Sequence, residues 1–130
     1  MKEAQRKAAG ALLAKAARTL EAAQSVIENG FFDDASSRAY YTAFHAASAA
    51  LAGRGLFFSS HGQVMGAFNR EFVKTGLCPV EAFQKIRRLF QDRHTGDYDA
   101  SRSLDEETGR RAVEDAAWLV DECRRLIENG

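Results

Sequence analysis

Apolar residues recur along most of the chain at alternating steps of three and four, which is the spacing of one face of an α-helix. The first such stripe consists of Leu13, Ala16, Leu20, Ala23 and Ile27. Asn29 and Gly30 follow it, and both residue types tolerate the left-handed conformation that ends many helices. The pattern therefore predicts a first helix that ends at this pair. It also predicts a second helix over residues 32–52, closed by Gly53 and Gly55.

Three further helices are predicted downstream. The segment Ser60-His61-Gly62-Gln63 resembles a capping box that opens the third helix. Gly76 and Pro79 mark the turn before the fourth helix, which is predicted to end near Thr95-Gly96. The segment Ser103-Leu104-Asp105-Glu106 resembles a second capping box and opens the last helix. The stripes of these helices are Met65, Phe68 and Phe72, then Phe83, Ile86 and Phe90, then Val113, Ala116, Val120, Cys123 and Ile127.

The composition also favours a helical fold. The chain has one proline, and residue types with high helix propensity, above all alanine, dominate it. Short connections place consecutive helices side by side. We therefore expect an all-α fold, an antiparallel up-and-down bundle of about five helices. Residues 1–130 are expected to form a single domain.

The charge balance excludes proteins that hold long nucleic acids through net positive charge alone. There are 18 basic and 18 acidic residues, so the formal net charge is zero, although a local basic site stays open. The three histidines have no acidic or cysteine partners at metal-ligand spacings. Neither a P-loop nor a dinucleotide-binding fingerprint occurs. We expect neither a metal ion nor a cofactor.

Cysteine usage and hydropathy bear on the compartment. Cys78 and Cys123 lack a CxxC partner, so two free thiols in a reducing cytoplasm are expected, with a structural disulfide as the alternative. No apolar run approaches the ~20 residues of a membrane span. The N-terminal segment MKEAQRKAAG lacks the apolar stretch of a signal peptide. We expect a cytoplasmic protein with no membrane partner.

The predicted second helix carries a polar stripe. A step of seven residues returns to within about 20° of the starting direction on an α-helix. Arg38, Tyr41, His45 and Ser48 therefore lie along one line. Stripes suited to packing flank this line, one of Tyr40, Phe44, Ala47 and Leu51, the other of Ala39, Ala43, Ala46 and Ala50. The polar stripe is predicted to line a groove or an interface rather than a freely solvated surface.

The residues alone leave two interpretations of Arg38 and His45 open. In the structural one, Asp34 pairs with Arg38 one turn later, and His45 is a core histidine with one satisfied nitrogen. In the functional one, both tips reach one ligand, since they lie ~10 Å apart along the helix axis. A two-fold axis across this helix would surround one cleft with two arginines and two histidines.

Such a cleft suits an RNA phosphodiester. Histidine can move a proton near neutral pH, and arginine can bind the phosphate oxygens and stabilise the charge that builds on them. RNA supplies its own nucleophile, the 2′-OH, so this chemistry requires no metal ion.

The motif Arg38-x6-His45 resembles the signature of the HEPN family, an arginine and a histidine separated by four to six residues on a helix of a small helical bundle. Longer segments resemble small stand-alone HEPN proteins as well. These segments are SRAYYTAFHAA at 37–47, SSHGQVMGAFNREFVKTG at 59–76 and RRLFQDRHTGDYD at 87–99, the last with an Arg-x3-Asp-Tyr pattern. The resemblance covers roughly residues 10–127 in the expected order.

The resemblance implies a function and partners. HEPN domains are commonly homodimers, and many are metal-independent endoribonucleases whose paired motifs meet at the dimer interface. Several act as toxins beside a minimal nucleotidyltransferase antitoxin or in stress defence. The expected catalytic residues are then Arg38 and His45, and the candidate substrate-binding residues are Tyr41, His61, Arg93 and Tyr98. The alternative is a non-catalytic module that binds RNA or a nucleotide, or docks a nucleotidyltransferase.

One departure from the family limits what the resemblance implies. A toxin branch of the family has a tyrosine two residues after the histidine, and the partner nucleotidyltransferase modifies it. In this chain the position is Ala47. That modification is therefore not expected for this protein.

Several candidate residues also have structural interpretations. His61 is expected to be a helix cap or a surface residue. Arg93, Asp97 and Tyr98 are expected to fix the turn after the fourth helix, with Asp97 pairing with Arg93 and orienting it. Lys85, Arg87, Arg88 and Arg93 are predicted to form a small basic cluster, which is either a solvated helix face or a surface that steers RNA.

Overall fold

The computed structural model describes residues 2–130, and within them the chain is helical with no strands. The helices are α1 Glu3–Glu28, α2 Phe32–Ala52, α3 His61–Phe68, α4 Glu81–Tyr98 and α5 Glu106–Glu128. A turn of π-helix, Asn69–Val73, continues α3. The prediction of an all-α fold with five helices is confirmed. None of these helices is both long enough and apolar enough to cross a bilayer.

The long helices alternate in direction. The carboxylate of Asp97, near the end of α4, accepts a hydrogen bond from Ser37 near the start of α2 at 3.3 Å, so these two helices run antiparallel. Along the α4–α5 contact, Lys85 pairs with Asp115. Further along α4, Asp92 pairs with Arg111, which comes earlier in α5. Residue numbers therefore rise along α4 as they fall along α5, so these two helices are antiparallel as well.

Helix α2 lies at the centre of the bundle and contacts each of the other four helices. Its buried face consists largely of alanine, a residue small enough to let neighbouring backbones come close. The buried alanines of α2 are Ala35, Ala39, Ala43, Ala46, Ala47, Ala49, Ala50 and Ala52. A larger side chain at these positions would force the surrounding helices apart, which costs typically 1–3 kcal/mol per site.

The predicted apolar stripes account for most of the core. Ala16, Ala23 and Ile27 of α1 are buried, as are Val113, Ala116, Val120 and Cys123 of α5. Both cysteines are free thiols. The prediction for α4 was only partly correct. Its buried residues are Ala82, Ile86 and Leu89, while Phe90 packs at the edge of the core.

Two helix starts were predicted from capping boxes, and one of them was placed wrongly. Ser60 caps α3, because its hydroxyl accepts a hydrogen bond from the backbone N–H of Gln63 at 3.2 Å. The N-cap of α5 is Asp105, whose carboxylate accepts from the N–H of Thr108 at 2.8 Å, and not Ser103. An ionised carboxylate is the stronger acceptor for the partial positive charge at a helix start, so the aspartate takes the capping position.

Helix α4 continues past its predicted end, through Gly96 to Tyr98. The helix passes close to the start of α2 at this point. A Cβ atom added at Gly96 would lie 3.3 Å from both the Asp33 carboxylate and Leu104. The Asp33 carboxylate also accepts a hydrogen bond from the N–H of Leu104 at 2.8 Å. A glycine at position 96 therefore serves helix–helix contact rather than helix termination.

The predicted basic cluster on α4 does not form. Lys85 and Arg88 face α5 and bind the carboxylate of Asp115 at 2.9 and 2.6 Å, and the Asp115 side chain is only 6% exposed. Arg87 extends over the ring of Phe83, and Arg93 lies against α2. A helix turns by 100° per residue, so these positions are distributed around α4.

The Asp115 ion pairs predict a measurable loss of stability when the carboxylate is removed. Asp115→Ala should lower the free energy of unfolding by about 2 kcal/mol, because it leaves two partly desolvated cations without a partner. Urea denaturation followed by circular dichroism measures this. Asp121 is the matched control, since it pairs with Arg124 on the same helix but is 75% exposed. Asp121→Ala should change stability by less than about 0.5 kcal/mol. Equal effects of the two substitutions would contradict the assignment.

Candidate functional site

The polar stripe of α2 is the part of that helix which the other four helices leave open. Arg38 is exposed, Tyr41 is 42% exposed, and His45 and Ser48 are half-buried. The flanking residues are buried on both sides, among them Ala39 and Tyr40, except for the partly buried Phe44. We call Arg38, Tyr41, His45 and Ser48 the open strip. The sequence prediction that packing faces border it is confirmed.

Arg38 is available to a ligand. Its guanidinium makes no ion pair or side-chain hydrogen bond within residues 2–130. The Asp34–Arg38 pair of the structural interpretation is therefore absent from the described part of the chain. An exposed arginine that no carboxylate neutralises can bind a phosphate in a bidentate manner.

His45 is held in its neutral form. Burial lowers the pKa of its imidazole below the ordinary value, and the ammonium of Lys15 on α1 lowers the pKa further. The ring lines two adjacent cavities, so it reaches space on both sides of the open strip. A neutral imidazole with an unprotonated nitrogen next to open space can accept a proton from a substrate.

A second histidine closes one side of the site. His61 is the first residue of α3, and its Nδ1 lies 2.5 Å from the hydroxyl of Tyr40. Burial raises the pKa of Tyr40 to about 12. The phenol is therefore protonated, and the tautomer of His61 determines whether the hydroxyl donates to Nδ1 or accepts from it. Burial also lowers the pKa of His61, with a smaller contribution from Arg93.

The expectation that His61 is a cap or a surface residue was wrong. Ser60 makes the cap, and the imidazole of His61 stacks on Phe90 with ring centroids 4.0 Å apart. The imidazole is thus a packed part of the cavity wall. Only the long-range contacts with Tyr40 and Phe90 reveal this, and the local sequence contains no signal for them.

Arg93 lies in a box of aromatic rings. Its guanidinium carbon is 4.9 to 5.7 Å from the centroids of the rings of Tyr40, Phe90, Tyr41 and Tyr98. One guanidinium nitrogen is 3.6 Å from the carboxylate of Asp97, and the side chain is only 13% exposed. Its Nε is buried and has no hydrogen-bond partner in residues 2–130.

The geometry of Arg93 corrects one prediction and supports another. Arg93, Asp97 and Tyr98 lie inside α4, so they do not form the turn that follows it. The pairing of Arg93 with Asp97 is confirmed as a contact between residues four apart on one helix. The sequence did not predict the aromatic box, because Tyr40 and Phe90 belong to different helices.

One cavity brings together four of the six candidate residues. It measures about 330 Å³ and is lined by Tyr40, Tyr41, Phe44, His45, Ser59, His61 and Arg93. The other two candidates lie outside its wall. Arg38 is about two turns before His45 on α2. Tyr98, which is 66% exposed, covers Arg93 near the end of α4.

The chain also matches a known protein family. The model of the HEPN domain matches residues 9–126 of the chain. The chain belongs to the HEPN family. The resemblance seen in the Arg38-x6-His45 motif and in the three longer segments is thereby confirmed for nearly the whole chain.

Relatives of this HEPN chain match it over most of their length. A Thermotoga maritima protein named "UPF0332 protein" is 37% identical over 115 residues, which are 88% of this chain and 87% of that one. Two Methanocaldococcus jannaschii proteins are also similar. "Putative toxin MJ0142" is 35% identical over 116 residues, or 89% of this chain and 79% of its own. "Putative toxin MJ0605" is 30% identical over 118 residues, or 91% of this chain and 87% of its own.

The environment of His45 predicts how it titrates. Its pKa lies below the ordinary value of about 6.5. In NMR spectra of histidine-labelled protein, the signal that disappears in His45→Gln should therefore titrate with a midpoint below 6.5. Since the unfolded chain binds this proton more readily, stability should fall as the pH drops below about 6.5. A midpoint at or above 6.5 would show that the imidazole is solvated.

Proposed function

We propose that this HEPN protein is a metal-independent endoribonuclease whose site is completed by a second copy of the chain. The observation that carries the proposal is the open strip of α2. It holds an exposed Arg38 and a half-buried His45, whose neutral form is favoured and whose ring lines two cavities. A structural pair would instead be buried and satisfied.

The proposed reaction is an internal transesterification of RNA. His45 accepts the proton of a ribose 2′-OH as the 2′-oxygen attacks the adjacent phosphorus. The bond from phosphorus to the 5′-oxygen of the next nucleotide breaks, and that oxygen takes a proton from solvent. The products are a 2′,3′-cyclic phosphate and a 5′-hydroxyl. Arg38 donates to the non-bridging oxygens, where negative charge builds in the transition state.

A second copy of the chain could bring an Arg38 and a His45 closer together than they lie within one chain. Arg38 and His45 lie ~10 Å apart along α2, which leaves little room for one phosphate between their tips. A two-fold axis beside the open strip would bring Arg38 of one copy towards His45 of the other. The partly exposed ring of Tyr41 lies between the two positions and would be covered in the same contact.

The aromatic box would hold the substrate next to this centre. Single-stranded RNA is bound by aromatic rings that stack on bases and by cations near the phosphates. Tyr41 and Tyr98 expose 42% and 66% of their surface, and His61 lines the cavity between α2 and α3. Arg93 has little exposed surface, so it acts chiefly by fixing the two tyrosine rings.

The names of two relatives favour a toxin role for this activity. The Methanocaldococcus jannaschii proteins named as toxins are 35% and 30% identical to this chain. A toxin–antitoxin or stress-defence system with a minimal nucleotidyltransferase as antitoxin is the corresponding biological setting. Because position 47 is alanine, such a partner would have to act without modifying a tyrosine there.

A binding module without catalysis is the second candidate. The aromatic box around Arg93 and the unpaired Arg38 could hold RNA or a nucleotide, or dock a nucleotidyltransferase, without any proton transfer by His45. The two candidates differ in what they require of the imidazole. Only cleavage depends on its titration.

Substitutions of the two motif residues test the chemistry. His45→Ala should lower the rate of cleavage of a labelled single-stranded RNA by about 10²- to 10⁴-fold and leave RNA affinity nearly unchanged. Arg38→Ala should weaken both cleavage and binding, because arginine contacts the phosphate before and during the reaction. Cleavage should persist in EDTA. The matched controls are His94→Ala and Arg87→Ala, since both residues are exposed and lie outside the cavity.

Chemical identification of the fragment ends completes this test. A 2′,3′-cyclic phosphate is expected on one fragment and a 5′-hydroxyl on the other. If the wild type cuts no member of a broad RNA panel and yet binds RNA through Arg38, the protein is a binding module and the proposal of a ribonuclease is wrong.

The composite site predicts a dimer and complementation between variants. Light scattering at micromolar concentration should give twice the chain mass of 14.3 kDa. Refolding an equal mixture of Arg38→Ala and His45→Ala should restore about a quarter of wild-type activity, because half of the dimers then carry one intact site. A monomer, or a mixture with no activity, would exclude a site that combines Arg38 of one copy with His45 of the other.

A further inference from the structure

A second cavity lies on the other side of His45. It measures about 230 Å³, and its wall includes Leu12 and Lys15 of α1, His45 and Ser48 of α2, and Phe57 and Phe58 from the connection between α2 and α3. It shares Phe44 and His45 with the cavity of about 330 Å³ described above, which we call the aromatic cavity. The two cavities therefore meet at the imidazole proposed as general base.

The inner wall of this second cavity is apolar and its mouth is aromatic. Leu51 and Val64 are 1% and 2% exposed and close its inner side. Phe57 lines the same space and is 62% exposed. An aromatic ring with this much exposed surface is unfavourable in water, and it offers a flat face to a planar ligand.

Polar groups stand among these apolar residues. The Lys15 side chain lines the cavity and forms no ion pair within the described residues, so its charge is free to meet an anion. The Ser48 hydroxyl is buried and has no hydrogen-bond partner in the same part of the chain. A cation, an unsatisfied hydroxyl and aromatic rings around one small space suit a planar heterocycle that is attached to a phosphate.

The geometry of RNA connects this space with the reaction. The base and the 2′-OH of a nucleotide are attached to neighbouring carbon atoms of one ribose. When His45 accepts the proton of a 2′-OH, the base of that same nucleotide must therefore lie close to the imidazole. The aromatic cavity lies on the other side of His45 and includes Arg93. It would hold the next nucleotide, whose 5′-oxygen is the leaving group.

We propose that the cavity at Phe57 binds the unpaired base of the nucleotide whose 2′-OH attacks, with Phe57 stacking on the base and Lys15 facing the adjoining phosphate. The proposal rests on the proposed ribonuclease function. It also names the substrate class, since a base held in this cavity cannot be paired. Single-stranded RNA or the loop of a hairpin would be cut, and a continuous duplex would not.

A dinucleotide that cannot react tests the cavity without cleavage. Its 5′ base is 2-aminopurine, whose fluorescence is quenched by stacking, and its 5′ ribose is 2′-deoxy. A second probe carries 2-aminopurine at the 3′ position. The wild type should quench the first probe more strongly than the second. Phe57→Ala should weaken binding of the first probe by about 5- to 100-fold, the effect of losing one stacked base.

Matched variants exclude general effects on the protein. Phe31 is 56% exposed and lies at the other end of α2, so Phe31→Ala should leave the quenching unchanged. Phe57→Tyr keeps a stacking ring and should retain most of the affinity. Lys15→Gln should weaken the binding of the probe, whereas Lys7→Gln on the same helix should not, because Lys7 is exposed and lies outside the cavity.

Three results would overturn the proposal. The first is equal quenching of the two probes, and the second is equal behaviour of the Phe57 and Phe31 variants. The third is conversion of a dimer to a monomer by Phe57→Ala, because a second copy of the chain would then cover the cavity. Failure of the ribonuclease function has a different signature. In that case the wild type quenches the 5′ probe and never cuts RNA.

Discussion

The fold depends on how closely four helices can approach α2. Its buried positions are mostly alanines with almost no exposed surface, so α1, α3, α4 and α5 can all pack against one central helix. Close packing leaves one strip of α2 open along the middle of the helix. The placement of Arg38 and His45 is thus a consequence of the core. A charged side chain on a face of α2 that packs against another helix would be desolvated.

Tyr40 links this core to the site. Tyr40 is 4% exposed, and its side chain contacts groups from two other helices, α3 and α4. It lies under the guanidinium of Arg93, meets the ring of Phe90 edge to face, and forms a hydrogen bond between its hydroxyl and His61. Burial raises the pKa of Tyr40 to about 12, so the hydroxyl keeps its proton over the physiological pH range. The wall of the aromatic cavity is therefore fixed by buried contacts, while Tyr41 and Tyr98 keep exposed ring surface.

The sequence predicted those parts of the structure that depend on neighbours within a few turns of one helix. The periodicity of α1, α2 and α5 identified their buried faces, and the seven-residue step identified the open strip. Contacts between distant segments were missed. Lys15 reaches His45 from another helix, and Arg93 finds Tyr40 across more than fifty residues of sequence. The α4 prediction failed for a related reason. Phe90 is apolar and fits a core stripe, but its ring is used against His61 at the site.

The position of His45 between two cavities sets opposing requirements on its basicity. Burial and Lys15 lower its pKa, which favours the neutral form at neutral pH. A lower pKa also makes the imidazole a weaker base, and this limits the rate of proton transfer. A phosphodiester bound beside the ring changes the balance, because a nearby negative charge favours the imidazolium and raises the pKa. It would also offset the charge of Lys15. In the proposed ribonuclease, the base would therefore be kept unprotonated in the free protein and would gain strength when its substrate arrives.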